Sequence, residues 1–209
     1  MADVLSLLES QEVLRLAVLF VHIVAVCVAT GAVILQDVAL VRTGRLDFAQ
    51  LTQTANLVKL CLIALWISGL SIIWIDTAGN LALALNKPKL VSKLTVVALL
   101  TLNGALLHAV AFPALMSRRP PSHRRATLCA VLGAISTATW LYAAFLDIAH
   151  PIEKQLGVIG FLAVYGMALV TAIAVALGHV RFVVYRLMAE AHDDDASAVR
   201  SSLAVVKNS

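Results

Sequence analysis

Apolar residues run along this chain in five long blocks, separated by short polar or basic breaks. The first block, residues 16–35 (LAVLFVHIVAVCVATGAVIL), carries no charged side chain. About 20 residues rising 1.5 Å each cross a hydrocarbon core roughly 30 Å thick. The blocks predict spans at about residues 13–41, 58–78, 91–116, 126–148 and 156–184. The fold class expected is therefore all-α: a polytopic membrane helix bundle of five transmembrane helices. It forms one domain over residues 1–187, followed by a polar tail at 188–209 with Asp193-Asp194-Asp195. That polarity predicts a frayed or disordered tail.

The breaks carry their own signals. Val4, Leu5, Leu7 and Leu8 fall at helical spacing, which predicts a short amphipathic helix or an extension of the first span. Thr43-Gly44-Arg45 reads as a turn and residues 46–53 as a polar interfacial helix. The connector 79–90 contains LALAL and then Asn86-Lys87-Pro88-Lys89, a segment suited to the membrane surface, with Pro88 near the next helix start. SRRPPSHRR at 117–125 is a short basic loop.

Composition supports a bilayer as the main solvent. Of 209 residues 61% are hydrophobic and only 13% charged, against roughly 25% charged in soluble domains. The net charge of +4 is a matter of topology. With five spans, eleven Lys and Arg fall on the side holding SRRPPSHRR and five on the other. The positive-inside rule then puts the N-terminus outside and the C-terminus in the cytoplasm of an inner-membrane, multi-pass protein. No Arg-rich stripe with aromatics is present, which argues against nucleic acid as a partner. The partners expected are the lipid bilayer and a second copy of the chain or a membrane redox protein. Cys27, Cys61 and Cys129 sit in apolar runs as small hydrophobes, with no CxxC pair and no disulfide expected.

Polar residues inside the spans carry the candidate chemistry. On a helical projection His22, Ala25, Ala29, Val33 and Gln36 share one face, while Phe20, Val24, Cys27 and Val28 lie elsewhere. A small, polar face belongs inside a bundle, and an ionisable residue there is a functional-site hypothesis. On the third span Thr101, Gly104, His108 and Ala111 share a face, with Lys93 near its start and Asn103 at a depth similar to that of His22. Two histidines, His22 and His108, therefore offer a metal or haem site, imidazole being a common iron ligand and bundles holding cofactors between facing helices. The alternative is that each histidine makes one hydrogen bond to backbone, Ser or Thr. His108 lies about 10 Å deeper than His22 at 1.5 Å per residue, so one iron does not reach both without tilting.

Lys93, Asp76 and Asp147 fall at one depth near the outer boundary, where His150 joins them; Lys93 alternatively snorkels to head groups. Asp37 is expected to meet Arg42 or a head-group region, or to serve as a proton-relay carboxylate. Met167 reads as packing or as an axial thioether.

Two stretches resemble a known superfamily. FVHIVAVCVATGAV places a histidine nine residues before Gly31, and KPKLVSKLTVVALLTLNG opens an apolar helix with a lysine. These are similar to the HemJ-type protoporphyrinogen oxidases and the copper-resistance-D-like membrane proteins. Ser68-Gly69 also fits a small-residue pair of that superfamily. The resemblance covers about residues 21–104. It implies b-type haem held at His22, with Lys93 as a catalytic or propionate-pairing residue. Leu102-Asn103 replaces the Tyr-His expected there; Asn103, at the depth of His22, is a cofactor-binding candidate. Ala29-Thr30 stands where an aromatic is favoured, so what the resemblance implies is a haem-binding relative.

Three functions follow as expectations. The first is a haem-binding redox protein, an oxidase or electron-transfer component, with the cofactor supplying the electron chemistry. The second is a small permease for a metal ion or organic solute, with His22, His108 and Asp37 along its path. The third is a structural or assembly subunit of a membrane complex.

Overall fold

The computed structural model describes residues 2–43, 47–80, 88–117 and 120–207. Gly44 of the first turn, most of the 79–90 connector and Arg118-Arg119 of the basic loop lie outside the described residues, as does the side chain of His150.

Five helical runs follow in chain order. α1 is Ala2–Thr43 and α2 is Phe48–Thr77. α3 (88–115) joins three pieces: Pro88–Leu106, the π-helical Leu107–Ala111, and Phe112–Leu115. α4 is His123–Ile148. A 3-10 turn, His150–Ile152, leads to α5 (153–207), made of Glu153–Val175, the π-helical Ala176–Val180, and Arg181–Lys207. Each run contains a stretch long and apolar enough to cross a membrane. The protein is an all-α bundle, with no strand among the described residues.

Local chemistry explains most boundaries. The Asp47 carboxylate accepts from the backbone N–H groups of Ala49 (3.0 Å) and Gln50 (3.1 Å), capping α2. The expected interfacial helix is thus the first turns of the second span. Pro113 lacks the N–H that would bond the carbonyl four residues earlier, and the π-helical turn directly before it accommodates that break. Gly157 takes φ 57°, ψ −172° at the start of the fifth span, a conformation that only glycine adopts readily. The N-terminal segment is an extension of α1. Of the two expectations for the tail, a frayed helix or disorder, the structure has a helix: residues 181–207 hold neither Gly nor Pro, and the helix runs on to Lys207.

We call the end at which α1 begins the upper end. α1, α3 and α5 descend, and α2 and α4 ascend. α4 is central, packing against α1, α3 and α5, while α2 packs on α1. Trp140 of α4 is 2% exposed in a cluster with Ala25, Val26 and Ala29 of α1, Cys61 and Leu65 of α2, and Leu100 of α3. A second cluster joins Val96, Tyr142, Leu146, Phe161 and Tyr165, and a third joins Ala111, Ala126, Cys129, Ala176, Val184 and Met188. The three cysteines are free thiols.

The outer surface is apolar. Phe20, Leu35, Leu60, Ile67 and Val170 are each 65% exposed or more. The α1 face divides as its pattern predicts: Ala25 and Ala29 are buried, whereas Phe20, Val24, Cys27 and Val28 face outward. Water would penalise such a surface, and a bilayer would not.

Candidate functional site: a cavity beneath an apolar layer

The polar residues of the spans separate into two regions. In the upper region the hydroxyl of Ser68 donates to the carbonyl of Ala64 at 2.6 Å, so its single hydrogen is used there. His22 Nδ1 is hydrogen-bonded to Ser68 Oγ at 2.9 Å. Gly69 lies against the ring: a Cβ there would stand 3.5 Å from His22 Cε1, an ordinary contact. The Lys93 ammonium is ion-paired with Asp147, joining α3 to α4 within electrostatic reach of His22. Arg15 Nε and Asp76 Oδ1 pair at 2.6 Å, joining α1 to α2.

Below this region lies the apolar layer around Trp140, and below that a cavity of about 440 Å³. The order repeats in α1, α2 and α3. α1 carries His22, then Ala25 and Ala29, then Gln36 and Asp37. α2, read from its upper end, carries Ser68, then Leu65 and Cys61, then Lys59 and Thr54. α3 carries Lys93, then Leu100, then Gly104 and His108. Residues 22 and 37 are about 22 Å apart along α1 at 1.5 Å per residue.

The back wall of the cavity is polar. The Thr137 hydroxyl of α4 has one hydrogen, which it donates to Asp37 Oδ2, with the carbonyl of Gly133 3.2 Å away. Thr54 donates to Gln36 Oε1 at 3.1 Å. Ser136 lies beside Thr137 in the wall. The remaining walls are mostly apolar, with Val33, Val58, Leu62, Leu100, Phe112, Trp66 and Trp140. Gly104 and Gly133 also line the cavity, and a Cβ at either would meet no atom within 4 Å. α2 and α3 face each other across the cavity without packing closely. The indole N–H of Trp66 donates to Thr101 Oγ1 at 3.0 Å across this gap. Its edges, Ile63, Thr101, Ala105 and His108, are exposed. The mouth therefore opens sideways, at a depth where the surrounding surface is apolar.

The structure does not gather the sequence-derived candidates into one site. His22 and Lys93 belong to the upper region, and neither lines the cavity. Asn103 is buried and donates to the carbonyl of Leu132 at 3.2 Å, tying α3 to α4. His108 lines the cavity, edge-to-face with Phe112 at 5.0 Å, inside the π-helical turn. Lys93 and His108 are about 22 Å apart along α3. The set selected for haem thus does not converge, because the layer around Trp140 stands between its members. Among the described residues no three His, Cys, Asp or Glu side chains stand close enough to hold a metal ion. Met167 is 63% exposed on the outside of α5. Asp37 turns to Thr137 of α4, rather than to Arg42.

Thr137, Trp66 and Gln36 were not singled out from the sequence as site residues. The predicted spans put Thr137 at the centre of the fourth and Asp37 near the lower end of the first, so the sequence did not pair them; the structure does. No family model, curated protein or solved structure matches the chain.

Proposed function

We propose that the chain is a membrane carrier for a small organic solute, which it binds in the lower cavity. The observation that carries this reading is the cavity itself. Its volume of about 440 Å³ lies within the size range of small-molecule sites, roughly 300–1,000 Å³, which are mostly apolar with a few convergent polar groups. Asp37, Thr137, Ser136 and Gln36 supply those groups at the back wall. The layer around Trp140 separates the cavity from the upper end. A metal-ion permease is favoured less, since a hard cation needs several oxygen ligands and Asp37 is the single carboxylate on the wall.

Binding is tested with 10-bromodecanol, whose bromine quenches tryptophan on contact. Trp66 and Trp140 line the cavity and Trp74 does not, so a Trp74→Phe protein reports on the cavity. Quenching should saturate in that protein, and Gly133→Leu, which places a side chain in open cavity space, should abolish saturation while the protein still folds. Quenching that rises linearly, as bulk partitioning does, would overturn the reading.

The haem-binding redox reading keeps one supporting observation, the His108 imidazole on the cavity wall. A Soret band in protein expressed with haem, lost in His108→Ala, would favour it; colourless protein would remove it. We place the chain in an inner membrane with the upper end outside, on the distribution of Lys and Arg. A reporter fused at His192 should then read cytoplasmic, and a periplasmic signal would invert the assignment.

A further inference from the structure

We infer that the cavity selects amphiphiles bearing a protonated amine, taken sideways from the bilayer between α2 and α3. The inference rests on the carrier reading and adds the chemistry of the ligand. Access comes first. The mouth is flanked by Ile63 and Trp66 on one side and by Thr101 and Ala105 on the other, all within membrane-spanning stretches. A molecule reaching it through the apolar surface must itself dissolve in lipid.

The head group follows from the back wall. Asp37 is the carboxylate of the cavity, and α4 gives it one hydrogen bond, from Thr137 to Oδ2. No Lys or Arg among the described residues forms an ion pair with it. An intramembrane carboxylate is costly unless compensated. A primary ammonium compensates it best, offering both opposite charge and N–H donors to Oδ1. Lys59 also borders the cavity and would favour an anionic head instead. Its side chain is exposed about two turns below Trp66, and its long stem lets the ammonium turn away from the cavity. Asp37 thus sets the head-group preference, and the aromatic and aliphatic walls hold the tail.

The test compares 10-bromodecylamine, 10-bromodecanol and 10-bromodecanoate in the Trp74→Phe protein, reconstituted in neutral lipid. The amine should saturate at least tenfold more tightly than the alcohol. Asp37→Asn, which keeps an acceptor for Thr137, should remove that difference; Asp37→Glu should retain it. Equal affinity of amine and alcohol, or tightest binding of the decanoate, overturns the inference while the carrier reading stands. If none of the three saturates, the carrier reading falls and this inference with it.

Discussion

The upper and lower halves of the bundle hold similar polar residues and use them differently. In the upper half each named charge has a partner on another helix: Arg15 with Asp76, and Lys93 with Asp147. His22 is bonded to a serine that is itself bonded to backbone. In the lower half Asp37 has a hydroxyl partner and an open cavity, and Lys59 has no carboxylate within ion-pair distance among the described residues. Polar groups in a membrane hold helices together when satisfied by other helices. They bind when their satisfaction is left to a ligand. An isolated histidine in an apolar run therefore has two equally physical explanations, and only its neighbours choose between them.

The sharpest way to break this comparison is to unpair the upper half. Lys93→Ala strands the Asp147 carboxylate. Removing one partner of a fully buried pair costs about 3–5 kcal/mol, and these side chains are 32% and 31% exposed. A loss of about 2–3 kcal/mol is therefore expected in reversible unfolding from detergent micelles. The double variant Lys93→Met, Asp147→Leu should recover most of it. A single variant as stable as wild type would mean that the pair is not structural.

A smaller effect sharpens the boundary between the halves. His22→Ala should cost about 0.6–1 kcal/mol, the range of an interhelical hydrogen bond in a membrane. Saturable quenching by 10-bromodecanol should be unchanged in the same variant. Loss of saturation would show that the apolar layer couples the two regions. The smallest effect is expected at the rim. Arg15 and Asp76 have side chains 45% and 31% exposed, so Arg15→Ala should cost about 0–1 kcal/mol, less at high salt. A loss matching that of Lys93→Ala would place Arg15 in a drier setting than its exposure indicates.

Much of the fold was legible because the bilayer acts on one residue at a time. Twenty apolar residues without charge are a span wherever they occur, and five such blocks are present. The inward face of α1 was legible for the same reason, since Ala25 and Ala29 are small where their neighbours are large. Lys93 and Asp147 could be placed at one depth, and the structure joins them. The site was less legible because it depends on which helices fail to pack. Nothing in the apolar runs of α2 and α3 announces that they stand apart, bridged by Trp66 and Thr101. Pro113 signals a broken turn, but not that His108 would line a cavity beside it.

By itself the sequence determined the number of spans, where each apolar block lies and which face of α1 turns inward. Each of these follows from the transfer of single residues between water, lipid and protein, an additive property of the chain. The tertiary structure alone decided that Trp140 seals a layer between His22 and His108, that Asp37 meets Thr137, and that a cavity opens toward lipid. Those outcomes depend on the relative placement of helices whose apolar surfaces are nearly equivalent to lipid. Packing detail and a few hydrogen bonds, rather than hydrophobicity, therefore select among their arrangements.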